Sequence, residues 1–117
     1  MEFYRLFGFV EFNSWNAEDN SIQIKKLKLD GMVLEIFKYQ NYEEIPKTAL
    51  DTVTDLPIVG TKHFALGVEN IYEAKEFVIN NNIKDIVEIK EGRLGKPYFW
   101  ISDPDGILVE IIERDNI

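Results

Sequence analysis

The chain has 117 residues, 45% of them apolar and 13% aromatic, one domain's worth of sequence with enough side-chain volume for a hydrophobic core. Lys and Arg number 13 against 21 Asp and Glu, for a net charge of -8, and that balance repels nucleic acid and anionic membrane surfaces. No cysteine is present, which excludes a disulfide framework, a thiolate metal site and a cysteine nucleophile.

The opening MEFYRLFGF lacks the long apolar run and small-residue cleavage site of a signal peptide. No window approaches the roughly 20 apolar residues of a membrane span, so the cytoplasm is the expected address. FGFVEFN, Phe7 to Asn13, reads as a strand, and the polar tract Ser14 to Asn20 as a hairpin connection with Asx chemistry. Ile22, Ile24, Leu27 and Leu29 alternate roughly with Gln23 and three lysines, which predicts a strand with one wet face. Asp30-Gly31 is a tight turn, and Met32 to Tyr39 a further strand interrupted by Glu35. Gln40 to Gly60 has no clear period and is long for a compact connection, so a crossover or an active-site flap is expected there. Thr61 to Val68 reads as a strand. A helix over 71–81 follows, capped by Asn70, with Ile71, Ala74, Phe77 and Val78 on one face. Strands are predicted around Asp85 to Lys90 and over Pro97 to Ser102, enclosing a Gly92 and Gly95 loop. WISDPDGILVEII, Trp100 to Ile112, then supplies a turn and an apolar strand broken by Glu110. A carboxylate in a buried run must be paired, hydrogen-bonded or bound to a cation.

DGMVLEIFKY, from Asp30, and DGILVEIIER, from Asp105, share the Asp-Gly start and place Glu and Ile at the same steps, at an offset of 75. Such self-similarity suggests a duplicated module. Carried upstream at an offset of about 74, the alignment sets Glu2-Phe3 against Glu76-Phe77, so Met1 is expected inside the first module's helix. The counterpart of strand 61–68 would lie about 12 to 14 residues before Met1. The expected organisation is a single domain over 1–117: an incomplete first module over 1–40, a linker or flap over 41–60, and a complete βαβββ module over 61–117. A sheet without its opening strand has an open edge, and a homodimer is expected to cover it.

Glu35, His63 and Glu110 are ligand-type side chains expected near strand centres. His63 is the only histidine. Oxygen and imidazole donors of this kind suit zinc, nickel, iron or manganese, and a bound cation would offset the cost of burying two carboxylates. The structural alternative is a hydrogen-bonded His and two carboxylates on a wet sheet face, with Tyr98 and Trp100 as core or cleft lining.

GTKHFALGVENIYEA, YFWISDPDGILVEIIE and EFYRLFGF together resemble segments of the vicinal oxygen chelate superfamily, which includes glyoxalase I, methylmalonyl-CoA epimerase, extradiol dioxygenases and the fosfomycin and bleomycin resistance proteins. The resemblance covers nearly the whole chain. It implies an α+β fold of paired βαβββ modules forming a curved mixed sheet around a metal-bearing cleft, here with the first module N-terminally truncated. It also implies that Glu35, His63 and Glu110 match the ligands on the fourth, fifth and eighth strands, while the family's first-strand His has no counterpart. The implied activity is glyoxalase I-like, or lactoylglutathione lyase-type: isomerisation of a 2-oxoaldehyde thiohemiacetal through an enediolate. Glu110 or Glu35 would move the proton, a divalent metal would be the cofactor, and glutathione or another low-molecular-weight thiol the co-substrate. Alternatives are a metal-free antibiotic-binding protein, an epimerase and an extradiol dioxygenase. In each the partner is a small molecule, and the resemblance does not choose among the reactions.

Overall fold

The computed structural model describes residues 1–83 and 88–115. The chain divides into two units, Met1–Glu44 and Ile45–Ile117, and each holds one sheet: three strands in the first, four in the second. With its few helices this is the α+β class expected from the sequence.

The first unit opens with helix α1, Glu2–Leu6. The Gly8 amide donates to the Arg5 carbonyl at 3.0 Å, and the Phe9 amide to that of Tyr4 at 3.2 Å. These are the paired bonds of a Schellman cap, and Gly8 adopts the left-handed φ of 96° that such a cap requires. Tyr4 meets Phe3 and Phe9 edge-on at centroid distances of 5.0 and 5.9 Å. All three rings are buried, and each such pair is worth about 0.5–1.5 kcal/mol beyond its area.

An antiparallel meander follows: β1 (Val10–Asn16), β2 (Ile22–Leu29) and β3 (Met32–Tyr39). The sequence placed the first strand too early. Phe7 and Gly8 are taken up by the helix cap, whereas Ser14, Trp15 and Asn16, expected in the connection, pair with Lys25, Ile24 and Gln23. The connection shrinks to 17–21. There the Ser21 hydroxyl and amide both donate to the Asp19 carboxylate, at 2.6 and 3.0 Å, and hold that carboxyl below its usual range.

The β2–β3 register sets Leu27 opposite Leu34 and Lys26 opposite Glu35. One face thus carries fully buried Leu27 with Leu34 and Ile36, and the other carries Val33, Glu35 and Phe37, all exposed. Among the described residues β3 pairs with β2 alone.

The second unit begins where the sequence shows no period. A short 3-10 helix, Lys47–Leu50, leads into α2, Thr52–Asp55, whose first turn is capped by the Asp51 carboxylate accepting from the Val53 amide at 2.8 Å. Four residues are too few for an apolar period to register. Strand β4 (Phe64–Val68), helix α3 (Ile71–Asn80), β5 (Lys90–Glu91), β6 (Pro97–Ser102) and β7 (Leu108–Glu113) complete the unit. The sheet order is β4-β7-β6-β5, with β4 parallel to β7 and the remaining pairs antiparallel.

Strand β4 is shorter than the expected 61–68, because its pairing with β7 starts at Phe64↔Val109. The strand expected around 85–90 falls partly on residues 84–87, outside the described residues; its described part is Lys90–Glu91. Asn70 caps α3 as expected, accepting from the Tyr72 and Glu73 amides. Ile71 and Val78 are buried, but Phe77, placed on the same face by spacing, is 41% exposed. Val109, Ile111, Phe99 and Ile101 form the buried centre of the sheet, each worth about 1.5–3 kcal/mol in transfer from water.

Helix α3 ends as α1 does. Asn82 has a φ of 56°; its amide donates to the Ile79 carbonyl, and the Ile83 amide to that of Val78, both at 3.1 Å. Gly8 and Asn82, like Tyr4 and Val78, stand 74 residues apart. In each unit the cap is followed by strands that end in one bearing the matched Glu.

Candidate functional site

Alternation along β7 puts Val109 and Ile111, at most 1% exposed, on the core face. Glu110 therefore shares the other, half-buried face with Leu108 and Ile112. The apolar run around it is not uniformly buried, as the sequence had suggested; the carboxylate occupies the wetter side. Its neighbours across the ladder are Ala65 on β4 and Trp100 on β6.

His63 stands one residue before β4, not near a strand centre as expected. Its Nε2 lies 3.3 Å from Glu110 Oε2, with the two side chains 22% and 19% exposed. The imidazole and the Trp100 indole are perpendicular, with interplanar angle 88° and centroids 4.4 Å apart. Tyr98, two residues earlier on the same face of β6, meets Trp100 at 6.1 Å. The second unit thus gathers an imidazole, a carboxylate and two aromatic rings on the less buried face of its sheet.

Glu35 belongs to the first unit. It lies on the exposed face of β3, 3.9 Å from Lys26 Nζ, with side-chain exposures of 45% and 42%. An ion pair so open to water is worth at most about 1 kcal/mol and leaves the carboxylate available. Within either unit, no third His, Asp or Glu joins a pair to make a metal-binding group among the described residues.

The His63–Glu110 geometry nonetheless suits a divalent ion. Donor bonds of about 2.0–2.2 Å at tetrahedral to octahedral angles set neighbouring donor atoms about 3.0–3.4 Å apart. The observed Nε2···Oε2 separation of 3.3 Å falls in that range. Mixed nitrogen and oxygen donors fit zinc, nickel, iron or manganese.

A contact that sequence reasoning missed flanks the histidine. Lys62 Nζ donates to the Asp55 carbonyl oxygen at 2.8 Å and lies 3.6 Å from Asp55 Oδ1, both side chains under a fifth exposed. It ties the end of α2 to the residue beside His63. No local pattern announces it, because the pair spans the segment without a period.

The family model for the Glyoxalase/Bleomycin resistance protein/Dioxygenase superfamily matches residues 1–111. Among solved structures, the chain is similar to the glyoxalase family protein from Enterococcus faecalis, at 25% identity and TM-score 0.77, covering 95% of this chain and 82% of that one. It is similar in fold to lactoylglutathione lyase from Agrobacterium tumefaciens, at 21% identity and TM-score 0.60, covering 95% and 80%. It shares the fold likewise with a genomically encoded fosfomycin resistance protein from Listeria monocytogenes, at 14% identity and TM-score 0.63, covering 95% and 77%. No curated protein matches the chain. With nearly its whole length matched, the chain belongs to the Glyoxalase/Bleomycin resistance protein/Dioxygenase superfamily, that is, the vicinal oxygen chelate superfamily.

Proposed function

We propose that this chain is a metal-dependent isomerase of the glyoxalase I type, acting on the thiohemiacetal of a 2-oxoaldehyde and a low-molecular-weight thiol such as glutathione. The observation that carries the reading is the 3.3 Å approach of His63 Nε2 to Glu110 Oε2 on the less buried sheet face. Glu35 holds in β3 the place that Glu110 holds in β7, and the resemblance makes it the candidate ligand of the first unit. Three protein donors are the usual complement of a catalytic site that keeps a position open for substrate. His63 and Glu110 would hold a divalent ion that, when bound, would supply Lewis acidity toward the oxygens of an α-hydroxycarbonyl.

The remaining chemistry is a proton shift. A carboxylate, Glu110 or Glu35, takes the proton from the carbon bearing the hydroxyl and the sulfur and returns it to the adjacent carbonyl carbon, while the hydroxyl proton passes to the oxygen of that adjacent carbon. The first carbon becomes the carbonyl of a thioester and the second a hydroxyl-bearing centre. Substrate and product are isomers, so no oxidant or reductant is consumed. The Trp100 and Tyr98 rings offer an apolar floor for the substrate side chain. An extradiol dioxygenase, with two His and one carboxylate on iron, would need a second histidine from a strand preceding residue 1, beside the one histidine of residues 1–117.

The same two rings favour a second reading, a metal-free binding protein that stacks a small molecule against them. Elemental analysis separates the two. Under the isomerase reading, protein loaded with zinc, nickel or manganese retains about one ion per chain, Glu110→Gln binds it at least tenfold more weakly, and the loaded protein forms thioester from a 2-oxoaldehyde and thiol. Failure of the wild-type chain to take up any of these ions would sink that reading and leave the binding protein. Among the described residues β3 pairs with β2 alone, and an edge of that kind further supports assembly as a homodimer.

A further inference from the structure

We infer that Trp100 is a positioning residue for His63, holding the imidazole so that Nε2 faces Glu110 rather than turning away. The inference deepens the metal-centre reading above and rests on it for its consequence, though not for its geometry. A metal-binding histidine is ordinarily fixed by a hydrogen bond from its second ring nitrogen to a carboxylate or carbonyl oxygen. Among the described residues His63 Nδ1 makes no such bond, and the ring's ion-pair and aromatic contacts are Glu110 and Trp100.

His63 also precedes the first pair of the β4–β7 ladder, Phe64↔Val109, so strand pairing does not fix its backbone. The ring torsion of histidine is intrinsically broad and roughly two-fold. A half-turn about it exchanges Nε2 with a carbon and would present a C–H to Glu110. The indole, perpendicular to the imidazole at 4.4 Å, is packed closely enough to oppose that rotation.

Trp100 is itself held in place. It is the direct cross-strand partner of Glu110, and Tyr98 braces it edge-on at 6.1 Å. On the other side of Glu110 the ladder partner is Ala65, too small to do the same work. The carboxylate and the indole are therefore set by one strand pair, and the imidazole is oriented against both.

The test uses Trp100→Leu and Trp100→Phe in the full chain, with two measurements. The first is imidazole nitrogen and proton NMR of the metal-free protein, where the single histidine makes assignment unambiguous. The second is the zinc dissociation constant. The wild type is expected to show a fixed ring, with imidazole protons displaced by the indole ring current. Trp100→Leu should show averaged, solvent-like imidazole signals and bind zinc about 10- to 100-fold more weakly, the range for losing a ligand's orienting partner. Trp100→Phe should recover most of both.

A Trp100→Leu protein that folds and keeps wild-type imidazole signals and zinc affinity overturns the inference. Should Trp100→Leu not fold, Trp100→Met takes its place: an imidazole that stays fixed without an aromatic ring beside it overturns the inference, and an averaged one supports it. If wild type binds no zinc, the metal reading fails by itself, and the NMR of the metal-free proteins still settles whether Trp100 orients the ring.

Discussion

Asp103 shows what a single buried side chain contributes here. It is 7% exposed, and its Oδ1 accepts from the amides of Asp105 and Ile107, each at 2.9 Å. The Asp103 amide meanwhile donates to the Ile107 carbonyl at 2.9 Å. The carboxylate thus closes the turn that launches β7 and sets the register in which Glu110 faces Trp100. Removing it leaves two amides without their acceptor in a part-buried turn, so Asp103→Ala should lower stability by about 1–3 kcal/mol. Asp103→Asn keeps an acceptor oxygen and should lose less than half of that; urea unfolding of the three proteins measures the difference. The turn itself was legible in the sequence, because Pro and Gly punctuate it. That Asp103 rather than Asp105 bears the load was not, since both fit the same pattern and only burial separates them. The same holds at the site. Alternation could place Glu110 on one face, but its approach to His63 depends on the parallel pairing of β4 with β7, a contact across more than forty residues that no local pattern encodes.

At the scale of elements, the repeated helix cap carries most of the local information. The sequence ends its predicted helix over 71–81 within Asn80-Asn81-Asn82, residues tolerant of left-handed backbone. It missed the equivalent end of α1, because the alternation in Phe7 to Asn13 imitates a strand, and Gly8 was absorbed into it. Side-chain pattern outweighed a single glycine whose role becomes visible only opposite Asn82. The left-handed φ at both positions predicts an asymmetric response to substitution. Gly8→Ala forces a Cβ into that region and brings it to 3.3 Å from Leu29 Cδ1. It should destabilise the protein by about 1–2 kcal/mol. Asn82→Gly removes a Cβ from the same conformation and should cost nothing measurable. Thermal melts of the two variants beside wild type give the comparison. Equal losses would mean that the cap at Asn82 is held by its surroundings and not by backbone preference.

For the molecule as a whole, the contrast between the two Glu-bearing strands sets the last expectation. β7 has neighbours on both sides, β6 and β4, whereas β3 pairs with β2 alone among the described residues. Each lies at the same step of its unit, after a matching helix cap and an antiparallel neighbour, yet only one is enclosed. The eight residues of β3 carry two charges, Glu35 and Lys38, and no proline, so little in the strand discourages pairing with another chain. Alternate amides along it point away from β2 and lack a ladder partner there. If a second copy covers that edge, hydrogen exchange at those amides should slow as protein concentration rises, while exchange in β2 and β7 stays constant. Sedimentation over the same range should show a monomer giving way to a dimer at the concentrations where protection appears. The Gln40 amide donates to the Ser21 carbonyl of the facing strand, so odd-numbered amides of β3 point outward, and replacing Val33 or Phe37 by proline removes an edge donor without touching the β2 ladder. That variant should stay folded and lose the dimer. Unchanged assembly in a folded proline variant would show that the copies meet through another surface, and concentration-independent exchange along β3 would show that its edge is not covered by a second copy at all.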